Sequence, residues 1–157
     1  MDDDLFERRR AEYLERMTDL IKQRGHGVQH VMGDPGNYDF SYTVGMAGMG
    51  HPEFVIVGLR TNVAVSLLND IAARVRAGQR FKHGQVLHDL VNDFPVVLIE
   101  VSEPVGRLSV ANALYGTFGP VAGLQIVFPD AGSRWPWQDG STLADQPVLG
   151  PVPNELR

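Results

Sequence analysis

Apolar residues recur at helical spacing through residues 4–24 and at alternate positions from Gly25 onward, and this change of period limits the fold more than any other feature of the chain. In the first stretch Phe6, Tyr13, Met17 and Leu20 share one side of a helix, with Leu14 and Ile21 alongside, so that face is expected to dock on a core. Acids crowd the first turn, Asp4 stands four positions before Arg8 and Glu12 four before Arg16, and Lys22 and Arg24 close the last turn. Gly25 is placed to end the helix. The run Arg8, Arg9, Arg10 then reads as a solvated helix face rather than an anion site.

After Gly25, Val28 and His30 alternate with Gln29 and Val31 until Asp34, Pro35, Gly36 and Asn37 supply turn chemistry, which predicts a hairpin. The returning strand spans Phe40 to Met46, with Phe40, Tyr42 and Val44 on one face and the smaller Ser41, Thr43 and Gly45 on the other. Phe54 to Val57 is apolar and β-branched, as in a strand covered on both sides. Ala64, Leu67, Leu68, Ile71, Ala72 and Val75 form a helical stripe, with Thr61 or Asn62 as its cap and Gly78 just beyond Ala77. Val96 to Val101, following Pro95, reads as a central strand, and Leu124 to Phe128 as a final strand stopped by Pro129. Residues 107–115 suit a short helix, whereas Val86 to Leu90 fits either element.

Helices and strands are mixed without regular alternation. That pattern predicts an α+β fold: a single domain over residues 1–157 with a largely antiparallel sheet of about five or six strands and two main helices packed on it. The Pro/Trp-rich stretch 130–157 holds both tryptophans and is expected to wrap the body as an arm.

Composition narrows the functions. With 14 basic and 19 acidic side chains the net charge is -5, the wrong sign for wrapping a phosphate backbone, so no nucleic-acid partner is expected. No apolar run approaches the ~20 residues of a membrane span, and the acidic start is unlike a signal peptide, which points to a cytoplasmic protein. Cys is absent, which excludes disulfides, thiolate metal sites and a cysteine nucleophile.

Five segments stand out together: Tyr42-Thr43-Val44-Gly45-Met46, His51-Pro52-Glu53 running into Phe54 to Leu59, Leu67-Leu68-Asn69, Gln125 to Asp130, and Trp135-Pro136-Trp137. In this order they resemble the bacterial family called domain of unknown function 4262, over about residues 25 to 150. The resemblance implies no activity.

His51 and Glu53 lie in a glycine-rich turn between two strands, where an imidazole and a carboxylate can act as an acid/base pair. The structural alternative has His51 bonding a loop carbonyl, Pro52 fixing the approach, and Glu53 capping or pairing on the surface. His26, His30, His51, His83 and His88 carry imidazoles that can bind a metal, but His-Glu-x-x-His is absent and the spacing assigns no metal site. Gly45, Gly48 and Gly50 lack the Lys-Ser/Thr of a phosphate loop, and no serine sits in a Gly-x-Ser-x-Gly elbow. Trp135 and Trp137, stiffened by Pro136, suit either a stacking platform for a planar ligand or a seal on the core.

The first functional expectation is a small-molecule-binding protein or enzyme whose pocket lies between the Tyr42 to Glu53 region and the Gln125 to Trp137 segment. His51 and Glu53 would be its acid/base groups, and Tyr42, Thr43, Gln125, Asp130, Trp135 and Trp137 its ligand contacts. The second is a noncatalytic interaction module, a homodimer in which the tryptophans and the arm bury against another chain. A flavin-binding barrel is the third. Cofactor and reaction class stay open.

Overall fold

The computed structural model describes residues 2–33, 38–143 and 146–157. The hairpin turn expected at Asp34 to Asn37 lies outside the described residues.

Helix α1 spans Asp2–Arg24 and ends as its sequence requires: the Gly25 N–H donates to Ile21 O at 2.7 Å, with Gly25 at φ 91, a left-handed conformation that glycine takes without steric cost. Docking covers only its second half, where Met17 is buried and Tyr13, Leu20 and Ile21 pack beside it. Phe6 departs from expectation, with 69% of its surface exposed. Its direction matches Tyr13, but a helix of 23 residues is about 35 Å long and overhangs the body it lies on.

Strands β1 (Gly27–Val31), β2 (Phe40–Val44), β3 (Glu53–Val57), β4 (Val86–Leu87), β5 (Val96–Glu100) and β6 (Gly123–Val127) form one six-stranded sheet in the order β1-β2-β3-β6-β5-β4. The β3 and β6 pair is parallel and the remaining pairs are antiparallel. The fold is therefore α+β with a mostly antiparallel sheet. The sheet is open, with β1 and β4 as its edges, unlike the closed sheet that the barrel expectation needs. β3 and β6 lie at the centre, and every residue of both is buried, in keeping with strands covered on both faces. At Gly27 a Cβ would stand 2.4 Å from the Met17 sulfur, so any larger residue makes the Met17 side chain shift where α1 crosses β1.

Helix α2 (Thr61–Arg76) lays Ala64, Leu68, Ile71, Ala72 and Val75 on one face of the sheet, against Phe54, Ile56, Leu98 and Ile126. Its C-terminus closes through Gly78 and Gln79, whose N–H groups donate to Val75 O at 2.9 Å and Arg74 O at 3.0 Å. The N-terminus differs from expectation: Arg60 is the capping residue, without a side-chain bond, because Thr61 is already helical. The other face is shared. Short helices α3 (Pro104–Arg107) and α4 (Ser109–Tyr115) replace the single helix expected there, and α1 and α4 cover Tyr42, Val44, Val55 and Val57. Val97, Ile99 and Val127 are covered by Trp135, Trp137, Val148 and Leu156. Among the described residues no helix is long and apolar enough to cross a membrane.

Candidate functional site

After β2 the chain turns sharply at Gly45, where φ is 127 and an added Cβ would lie 3.1 Å from the His26 backbone. The turn aims three consecutive N–H groups inward, and the Glu53 carboxylate receives them: Gly45 at 3.1 Å, Met46 at 3.0 Å and Ala47 at 3.0 Å. A fourth donor is the Thr43 hydroxyl at 2.8 Å, which itself accepts the Phe54 N–H at 2.9 Å. Glu53 is fully enclosed, so the surface cap or ion pair expected of it is corrected to an internal anchor for the turn. Burial pushes its carboxyl up to about 7, against the pull of the four donors. The Tyr115 phenol is also raised, first by its own burial and then by the Glu53 charge nearby.

His51 points into a different environment. Its Nδ1–H donates to Pro52 O at 2.8 Å, and Nε2 accepts the Phe81 N–H at 2.9 Å. An amide N–H can only donate, so the proton sits on Nδ1 and the ring is neutral. The imidazole packs 5.3 Å from the Phe54 ring and 6.0 Å from that of Phe81, and burial, followed by Arg80, holds its pKa below the ordinary value. His51 and Glu53 share no hydrogen bond, and the polar atoms of both are occupied by backbone groups or Thr43.

Tyr42 and Thr43 face opposite sides of the sheet, as neighbours on a strand must. The Tyr42 hydroxyl accepts the Val110 N–H at 2.9 Å, capping α4, which has no side-chain cap of its own at Leu108. Gln125, also enclosed, spans from β6 to residues 147–149: Nε2 donates to Pro147 O at 2.8 Å and Oε1 accepts the Leu149 N–H at 2.7 Å. Asp130 organises its own loop. It accepts the N–H groups of Gly132, Arg134 and Thr142, each at 2.9 Å, and the bonds from Thr142 and Arg134 hold its carboxyl below the usual range. Trp135 and Trp137 stack at 5.7 Å with 15° between their planes, half-buried against Val97, Ile99 and Val127, and the Trp137 indole N–H donates to Leu156 O at 2.8 Å.

The histidines are dispersed. His26 lies between Asn69 and Arg76, His30 reaches Ser41 and His83 accepts the Glu100 N–H, and among the described residues no three His, Asp or Glu are placed to hold a metal. The structure thus joins Thr43 to Glu53 and sets Gln125, which pairs with Val55 two residues beyond Glu53, against residues 147–149.

One feature went unread in the sequence. A slot of about 480 Å³ opens where β1 and β2 meet residues 147–149, lined by Val31, Phe40, Val57, Val148 and Leu149, with Arg107 its one charged residue among those described. Arg107 is tethered through Nε to Ser102 O at 3.1 Å, and no described carboxylate is within ion-pair reach of it. The available signal was isolation: Arg107 is the sole Lys or Arg between Lys82 and Arg134.

The family model for a domain of unknown function (DUF4262) matches residues 20–142, so the chain belongs to that family. No curated protein and no solved structure matches it.

Proposed function

We propose that this member of the DUF4262 family binds a small amphipathic anion, with a flat apolar body, in the slot beside Phe40, Val57 and Leu149. Arg107 carries the reading. Its Nε is committed to Ser102 O, which fixes the guanidinium and leaves the two terminal nitrogens, which bond no described residue, to grip a carboxylate or similar group. The remaining lining is largely aliphatic and aromatic, and about 480 Å³ suits a ligand of modest size.

The expected ligand contacts take new roles in this reading. Gln125 does not touch the ligand; it holds Pro147 and Leu149 in place as the outer wall. Tyr42 supports Phe40, whose ring stacks 6.1 Å away. Phe40 pairs with Val57 at the slot end of β2 and β3, whereas Glu53 and the turn it anchors occupy the opposite end of that strand pair. An acid/base role would require the 45–47 turn to release Glu53 and the Phe81 N–H to release His51.

The test is a titration with 2-naphthoate followed by amide NMR shifts. Saturable shifts at Val31, Phe40 and Leu149 are expected, with affinity falling about tenfold or more in Arg107→Gln. Absence of saturable shifts, or equal affinity in Arg107→Gln and wild type, would overturn the proposal.

A further inference from the structure

The overhanging half of α1 is an unpartnered helix face with its own charge pattern. Leu5 and Phe6 are 46% and 69% exposed, and beneath the overhang lies a groove of about 520 Å³ lined by Phe6, Arg9, Arg10, Tyr13, Gln29 and Val110. At about 100° per residue, Asp2, Asp3, Phe6, Arg9 and Arg10 fall within about 60° of one direction, the side that faces this groove. Asp2 and Asp3 have no base three or four positions on, since those places hold Leu5, Phe6 and Glu7. No described ion pair involves any residue of α1.

We infer that this face is an interface for a second copy of the chain, with two α1 helices running antiparallel and crossing at Phe6. Two-fold symmetry with Phe6 on the axis sets Asp2 opposite the partner copy's Arg10 and Asp3 opposite its Arg9, and repeats both pairs on the other side. The groove of each copy takes the Phe6 ring of the other. Helix, acids, bases and aromatic therefore complement themselves, which a partner of different sequence would have to imitate. The expected dissociation constant is on the order of micromolar, as for a weak, reversible dimer.

This reading is independent of the Arg107 slot. Its test is sedimentation velocity of the full chain and of two variants, Asp2→Arg/Asp3→Arg and Arg9→Asp/Arg10→Asp. All four positions are exposed, and circular dichroism melts verify that both variants fold. Wild type is expected to dimerise, each variant alone to dimerise at least tenfold more weakly, and an equimolar mixture of the two to recover association within about threefold of wild type. A wild type that stays monomeric to about 0.5 mM overturns the inference. So do variants that self-associate like wild type, or a mixture that fails to recover.

Discussion

The Thr43 hydroxyl donates to the Glu53 carboxylate at 2.8 Å while accepting the Phe54 N–H at 2.9 Å, so one side chain links the end of β2, the start of β3 and the only fully enclosed carboxylate among the described residues. Two oxygens offer about four acceptor positions, and four donors fill them. A buried charge without such partners would cost several kcal/mol, which is why the turn at Gly45 and the acid at Glu53 have to be read as one unit.

Replacing Glu53 by Gln keeps the shape and reverses part of the hydrogen bonding, since the new amide nitrogen faces N–H donors. Removing one partner from a buried charged network costs about 3 kcal/mol. Urea unfolding of Glu53→Gln should show that loss, and a change under about 1 kcal/mol would mean the four bonds are not what holds the turn.

The pH dependence of Glu53 has a definite sign. Its folded pKa, about 7, lies above the ordinary 4.5, so the folded chain binds the proton more tightly, and the contribution is complete below about pH 4.5 and lost as pH rises through about 7. The gap corresponds to on the order of 3 kcal/mol. Unfolding free energies at about pH 5 and pH 8 should fall between the two pH values in wild type by more than in Glu53→Gln. Parallel pH profiles would show that the carboxyl is already ionised at pH 5.

His51 contributes the opposite slope. Its pKa is depressed, chiefly by burial, so its contribution is present above the ordinary 6.5 and is lost as pH falls below that value through the folded pKa. Nitrogen NMR of the ring should show the Nδ1–H neutral tautomer persisting below pH 6.5. A His51 midpoint at or above 6.5 would contradict the burial argument, and an Nε2–H neutral ring would contradict the tautomer.

Much of the architecture was legible because it rests on local periodicity. The α2 stripe, the Gly25 and Gly78 ends, and the alternation of Tyr42 and Thr43 across β2 are set by near neighbours in sequence. The overhang at Phe6 was not legible, since a helical pattern shows which side turns inward but not where the body beneath it ends. Candidate chemistry was harder still. His51 and Glu53 stand out in the sequence by residue type, yet their partners include backbone groups at Phe81 and 45–47, and backbone donors leave no mark in a sequence. Arg107 meets Val148 and Leu149 across some 40 positions of chain, a distance that no local pattern spans.

Gly150 should tolerate no side chain. A Cβ there would stand 1.8 Å from Glu100 O, a backbone atom that cannot rotate away, so Gly150→Ala must displace either β5 or residues 149–151. The Ser102 N–H bond to Leu149 O, 2.8 Å long, should open in consequence and its amide exchange faster with solvent. Unchanged protection at Ser102 would show that the two segments approach less closely than this.

Gln125 separates wall-building from ligand contact. Its amide satisfies Pro147 O and the Leu149 N–H, neither of which another described side chain bonds, and Leu at this position would keep the volume while removing both bonds. Two lost hydrogen bonds, with a buried carbonyl and N–H left to find water, cost about 2 to 4 kcal/mol, and the loss should fall on residues 147–149 because the rest of β6 keeps its strand partners. Exchange should therefore quicken at Leu149 while Leu124 and Ile126 stay protected. If the slot is the binding site, 2-naphthoate affinity should fall in Gln125→Leu although Gln125 is absent from the slot lining, because Val148 and Leu149 no longer hold their positions. Faster exchange at Leu149 with undiminished affinity would place the ligand elsewhere. Unaltered exchange would show that the Ser102 bond to Leu149 O alone is enough to seat the segment.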